Sequence, residues 1–139
     1  MKFNQATDYA FRAVLYLANQ TRGKVVDAQT ISQSQVIPMR FLLKIMPSLI
    51  KSRIVGSQRG VGGGYYLAKA PGEITLLDVV EAIEGPVTIN KCLIDPSYCS
   101  KDGAPGCPVH RTLGEIQEKL VQELRNRNFD DLMHKARQE

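Results

Sequence analysis

From Ala6 onward, apolar or small residues recur at Tyr9, Ala10, Ala13, Val14, Leu17 and Ala18. This i, i+3, i+4, i+7 rhythm predicts an amphipathic helix that ends before Arg22-Gly23. Asp27 is a good N-cap for a short second helix carrying Ala28 and Ile31, and Val36-Ile37-Pro38 reads as a turn with proline at or near the next helix start. The clearest stripe follows. Met39, Leu42, Leu43, Met46, Leu49 and Ile50 cover one face at about 100° per residue, opposite Arg40, Lys44, Ser48 and Lys51. Pro47 interrupts this segment, and since proline costs about 3 kcal/mol inside a regular helix, a kink or early break is expected there.

The period then changes. Ile54 to Gln58 and Gly64 to Ala68 read as two short strands joined by Arg59-Gly60-Val61-Gly62-Gly63, a glycine-rich hairpin. A fourth helix starts at the plausible N-cap Thr75, presents Leu76, Leu77, Val80 and Ile83, and stops at Gly85-Pro86. Residues 85–109 hold seven of the eighteen glycine and proline residues and all three cysteines, so regular structure is not expected there. From about His110 to Arg127 a long helix carries Leu113, Ile116, Leu120 and Leu124 along one seam, longer than so small a core can cover; a partner helix would cover it. Phe129, Leu132 and Met133 support a short last turn or helix, and no internal repeat is present.

These elements predict a mainly α fold with a small β-hairpin wing: a winged helix-turn-helix followed by a long C-terminal helix. At 139 residues the chain is sized for one compact module, divided into a winged helix-turn-helix region (1–84), a cysteine-bearing loop (85–109) and a long helix with its tail (110–139). Composition adds that it folds, since 43% hydrophobic and 23% charged residues are ordinary globular values. The longest apolar run, Ala13 to Ala18, is far short of the ~18 residues that span a bilayer, and no signal-peptide core is evident, so a cytoplasmic protein without membrane association is expected. In that reducing compartment three cysteines stay free, bind metal or react.

The net charge of +4 hides a division. Residues 1–70 hold ten basic and two acidic residues, for +8; residues 71–139 hold eight and twelve, for −4. A basic half suggests a polyanion-binding surface. In a winged helix-turn-helix the second helix of the pair enters the major groove, where Arg40 and Lys44 would donate to guanine edges or phosphates. Arg59, at the wing tip, suits the negative potential of a narrow minor groove. Phe41, beside Arg40, and Ser57, in the first wing strand, are counted with them. Each basic residue taken singly could be a solvated surface charge; three converging on one surface favour double-stranded DNA as the partner. A phosphate-cradling nucleotide loop is disfavoured, because neither Gly-Lys-Ser nor Gly-Lys-Thr follows the glycines.

Cys92, Cys99, Cys107 and His110 give C-x6-C-x7-C-x2-H in a loop able to wrap around an inorganic centre. Thiolates suit an iron-sulfur cluster or zinc. Structural zinc sites usually pair their cysteines closely, so the wide spacing leans towards a cluster. The bland readings are three unligated thiols and a His110 that is exposed or caps a helix. Asp8, in the first helix, is a further oxygen donor, although its spacing fits an i, i+4 ion pair with Arg12 better.

The run Gly56-Ser57-Gln58-Arg59-Gly60-Val61-Gly62-Gly63-Gly64-Tyr65, the opening Thr7-Asp8-Tyr9-Ala10, the three-cysteine loop and Cys107-Pro108-Val109-His110 together resemble the IscR and NsrR family of bacterial winged-helix regulators. The resemblance covers nearly the whole chain. It implies a homodimer, with the long helix at its interface, that reads a pseudo-palindromic operator and controls transcription according to the state of an iron-sulfur cluster, sensing iron, redox state or nitric oxide. In IscR-like members the histidine of Cys-x2-His completes a 2Fe-2S site, which maps to His110. In some NsrR-like members an acidic residue of the partner's first helix completes a 4Fe-4S site, which maps to Asp8. A DNA-binding regulator with a structural zinc loop and no sensing role is the alternative. An enzyme is not expected: no Ser, His and Asp set, Walker loop or H-E-x-x-H occurs.

Overall fold

The computed structural model describes residues 2–101, 103 and 106–138; Met1, Asp102, Ala104, Pro105 and Glu139 lie outside the described residues. Its helices are α1 (Gln5–Ala18), α2 (Ala28–Gln35), α3 (Met39–Lys51), α4 (Leu76–Glu84), α5 (Pro108–Arg125) and α6 (Phe129–Gln138), with the antiparallel hairpin β1 (Val55–Gln58) and β2 (Gly64–Leu67) between α3 and α4. The expected mainly helical, winged architecture is what the chain adopts. No helix among the described residues is long and apolar enough to cross a membrane.

Local chemistry sets the helix starts. Asn4 caps α1 by accepting from the Thr7 amide at 2.9 Å, and Asp27 caps α2 by accepting from both the amide and the hydroxyl of Thr30. The Thr30 hydroxyl, followed by its amide, holds the Asp27 carboxyl below its usual range. Thr75 and Asp78 form a full capping box at α4, each side chain accepting from the other's amide.

The core lies where α1 crosses the other helices. Ala10, Ala13, Val14 and Leu17 of α1 meet Leu42, Ile45, Met46 and Leu49 of α3, with Ile31, Ile37, Val55, Ile74 and Val79 closing around them. The helix pair α2–α3 thus sits on α1 as on a platform. The early break that Pro47 could have caused does not occur, and α3 continues through it to Lys51. Pro47 and Leu43, whose carbonyl loses its intrahelical donor, are both exposed, so water can serve that carbonyl while the buried side keeps its packing. The buried face of α3 is also rotated from the stripe. Leu43 is 51% exposed and Ile45 is buried, because α1, α4 and β1 wrap the flank that carries Leu42, Ile45 and Leu49.

Within the wing, Val55 pairs with Leu67, Gly56 with Tyr66, Ser57 with Tyr65 and Gln58 with Gly64. An unforeseen third segment joins it: Val26 and Tyr65 exchange both backbone hydrogen bonds at 2.8 Å, tying the wing root to the residue before the Asp27 cap. Gly64 makes this possible, since a Cβ there would fall 2.2 Å from the Val26 carbonyl oxygen.

The C-terminal region both leaves and rejoins this body. Helix α5 starts at Pro108, two residues earlier than expected, because proline at the first helical position needs no hydrogen-bond partner. It packs on α4 and on the short 3-10 turn Lys91–Leu93, and Leu124 is its only buried residue. At its end, hydrogen bonds Leu76 N–H to Arg127 O and Phe129 N–H to Ile74 O stitch the turn onto the start of α4. Helix α6 then packs on α1, with Phe129 and Met133 in the common core.

Candidate functional site

The first candidate surface is built on α3 and the wing. Arg40, Lys44, Ser57 and Arg59 are all exposed, the first two on the outer side of α3 and the others on the hairpin. Phe41 is half-buried: its ring packs against Tyr9, centroids 5.4 Å apart, while the Arg40 guanidinium lies 5.2 Å from its centroid. Phe41 therefore supports Arg40 from below and links α3 to α1.

A second link fixes the turn between α2 and α3. Val36 closes α2 in the left-handed conformation, φ 55° and ψ 52°, which is disfavoured for a β-branched residue. The Ile37 amide donates to the Ser32 carbonyl at 3.0 Å, and the Ser32 hydroxyl returns a bond to the Ile37 carbonyl. Arg12 reaches across from α1, donating to the carbonyls of Gln35 and Val36 at 3.4 Å each, where a cation complements the helix C-terminus. Its other nitrogen donates to Asp8 at 2.9 Å, and its guanidinium lies over the Tyr9 ring. The i, i+4 pair expected for Asp8 is thus formed. The contacts to Gln35 and Val36, two dozen residues away, had no local signature in the sequence.

The second candidate surface is the cysteine loop. Cys92 lies in the 3-10 turn Lys91–Leu93, which Asn90 caps; Cys99 ends the 3-10 turn Pro96–Tyr98; and Cys107 is the N-cap of α5. All three are half-buried and none is in a disulfide. The His110 Nδ1 lies 3.2 Å from the Cys92 Sγ, and the Asn90 side-chain amide donates to the same sulfur at 3.4 Å. The loop is held on α5 by the Ile89 amide, which donates to Gln117 Oε1 at 3.1 Å, and by Leu93 lying against Gly114. Asp95 caps the second turn, and the hydrogen bonds from Ser97, its amide first, hold its carboxyl below the usual range.

The structure therefore brings together two of the four expected metal-site residues, Cys92 and His110, from positions 18 apart. Cys99 and Cys107 sit on the same loop, and among the described residues no three His, Cys, Asp or Glu side chains converge as for a metal ion. Asp8 stands on α1 beside Arg12 and is not gathered with the cysteines of its own chain. The donor set, three thiols and an imidazole beside an amide donor, fits a soft centre such as a cluster or zinc better than a hard cation. Asn90 and Gln117, which orient this loop, were not singled out in the sequence; an Asn two residues before a cysteine is the only local hint of the first.

Comparison with known proteins bears on the chain as a whole. Residues 3–135 match the family model Rrf2, described as iron-dependent transcriptional regulator. A putative HTH-type transcriptional regulator of Aquifex aeolicus is 32% identical over 134 residues, 96% of this chain and 92% of the relative. An rrf2-like putative HTH-type regulator of Rhodobacter capsulatus is 33% identical over 120 residues, 81% of this chain and 79% of the relative. Among solved structures, CymR, the global cysteine regulator of B. subtilis, superposes with a TM-score of 0.75 at 23% identity, covering 96% of this chain and 97% of that one. The IscR of T. potens gives 0.72 at 20% identity, covering 98% and 88%. The chain belongs to the Rrf2 family and is a DNA-binding transcriptional regulator, not an enzyme.

Proposed function

We propose that this regulator is a homodimer whose cysteine loop holds an iron-sulfur cluster, 2Fe-2S or 4Fe-4S, and whose affinity for a pseudo-palindromic operator follows the state of that cluster. The observation that carries the reading is the meeting of Cys92 and His110, a soft sulfur and a borderline nitrogen brought within 3.2 Å by a loop otherwise free of long regular elements. The iron-dependent description of the family supports it. Cys92, Cys99 and Cys107 are the thiolate ligands, and His110 or Asp8 of the partner subunit is the fourth. Once bound, the cluster supplies one-electron redox chemistry and iron that reacts with oxygen or nitric oxide. The protein acts in the cytoplasm, where thiols stay reduced.

On the DNA side, Arg40 and Lys44 contact the major groove, Phe41 sets the Arg40 position, and Ser57 and Arg59 bring the wing to the backbone and minor groove. Residues 1–84 form the DNA-binding region, 85–109 the metal loop and 110–139 the dimerisation helix and tail, with α6 lending Phe129 and Met133 to the core of the first. Between loop and reader stand α4 and α1. Glu84, the last residue of α4, accepts from the hydroxyl of buried Thr7 and the amide of Asn4, and Arg12 carries α1 to the α2–α3 turn. A change in loop order thus has a packed route to the recognition helix.

Absorption of protein purified without oxygen, with iron and sulfide analysis, tests the assignment. A coloured protein containing both elements is expected. A colourless protein carrying one zinc per chain would make the loop a staple in place of a sensor.

A further inference from the structure

Residues 59–64 form the tip of the wing, and glycine occupies four of these six positions, leaving side chains only on Arg59 and Val61. Val61 is the most exposed large hydrophobic residue among those described, at 106%. The backbone at Gly60 (φ 92°) and Gly62 (φ 77°) lies in the left-handed region, and the Gly63 amide closes the turn onto the Gly60 carbonyl at 3.0 Å. A Cβ on Gly63 would fall 2.2 Å from the Gln58 carbonyl oxygen, so the ribbon is bare of necessity. Nothing in this turn calls for an apolar side chain; turn positions favour Gly, Asn, Asp and Ser, and an isopropyl group standing in water gains nothing there.

Bareness and the apolar tip make sense together against DNA. A hairpin end whose only side chains are Arg59 and Val61 presents little but backbone, and that lets its tip reach toward the floor of a minor groove about 6 Å wide. A·T pairs present only acceptors on that floor, whereas a G·C pair adds the guanine N2 amino donor. An isopropyl group pressed against that donor excludes water without accepting its hydrogen bond, which is unfavourable.

We propose that Val61 enters the minor groove beside Arg59 and discriminates against G·C pairs where it sits, an inference that rests on the reading of the wing as a DNA contact. The test uses a fluorescein-labelled duplex selected from a random pool with the full chain, its minor-groove contacts located by hydroxyl-radical footprinting. The protected flank is then made A·T, G·C or inosine·C; inosine keeps the major-groove edge of guanine but lacks the N2 amino group. The native chain is expected to bind the G·C flank about tenfold more weakly than A·T, within the usual cost of one wrong pair, with inosine·C restoring A·T-like affinity. Val61→Ser should bind the A·T and G·C flanks alike. If Arg59→Ala weakens binding while Val61→Ser keeps the full preference, the wing touches DNA but Val61 does not read it, and the proposal alone is overturned. If neither variant alters affinity or preference at matched salt, the reading of the wing falls with it.

Discussion

The guanidinium of Arg12 reaches from α1 to the carbonyl oxygen of Val36, 3.4 Å away, at the point where the chain turns from α2 into α3. Val36 adopts a backbone conformation that costs an L-residue about 1–2 kcal/mol, and it is largely exposed, so its own side chain contributes little to holding the turn. Arg12, with the exchange between Ser32 and Ile37, holds it instead. Because Arg12 is partly exposed, its pair with Asp8 adds little to stability. Arg12→Ala is therefore expected to leave thermal stability within about 1 kcal/mol yet weaken operator binding through a loosened α2–α3 angle. Differential scanning fluorimetry and fluorescence anisotropy check the two halves separately. Equal losses in both would make Arg12 merely structural.

The capping box at α4 makes a purely structural prediction. Thr75→Ala removes the acceptor for the Asp78 amide and should cost about 0.5–2 kcal/mol, read as a lower urea midpoint with an unchanged slope.

The folded-state carboxyls of Asp27 and Asp95 are both held below their usual value by hydrogen bonds. The sign follows from linkage: their contribution is fully present above the unfolded pKa and is lost as pH falls through the lower folded value. Melting temperature should thus decline below about pH 4 in part because the α2 cap is protonated. Asp27→Asn, which keeps an acceptor at the cap but cannot ionise, should flatten that part of the decline in a pH series of thermal melts. An identical pH profile would remove Asp27 from the account.

Helix α5 carries one apolar seam whose two ends have different fates. Leu124 is buried by its own chain at 9% exposure, whereas Ile116 is 50% exposed and lies on a stripe with Val109, Leu113 and Leu120. If that stripe is the dimer seam, Ile116→Glu should yield folded monomer in sedimentation at micromolar concentration. Phe129→Ala should instead cost about 3–5 kcal/mol, because its ring is sealed in the core. A native chain that is already monomeric would leave the stripe without its partner.

Local patterns in the chain carried much of this. The caps at Asp27 and Thr75, the hairpin and the glycine stop after α4 depend on residues a few positions apart, and all formed within a residue or two of expectation. What escaped depends on tertiary packing. The rotated buried face of α3, with Ile45 in and Leu43 out, was decided by which helices α3 meets; Pro47 was tolerated because its gap faces water. Leu124 fell on the predicted seam yet turned inward for the same reason. At the cysteine loop the residue types were legible. The meeting of Cys92 with His110, and the support from Asn90 and Gln117, follow from how the loop folds onto α5 and have no periodic signal.

Cysteine substitution separates ligands from bystanders. Cys92→Ala, Cys99→Ala and Cys107→Ala should each remove most iron and acid-labile sulfide while leaving the far-UV dichroism native. His110→Ala should give a weakened or spectrally altered cluster, given its place beside Cys92. A normal spectrum in His110→Ala with loss in Asp8→Ala would transfer the fourth position to the partner subunit. Full iron in all three cysteine variants would end the cluster assignment.

The most direct test of regulation by a cluster is operator affinity measured on one preparation before and after cluster removal under anaerobic conditions at fixed salt. The account predicts a shift of about tenfold or more, corresponding to ~1.4 kcal/mol of coupling between loop and reader, abolished in Cys92→Ala. Superimposable binding curves for the loaded and stripped native protein would contradict it.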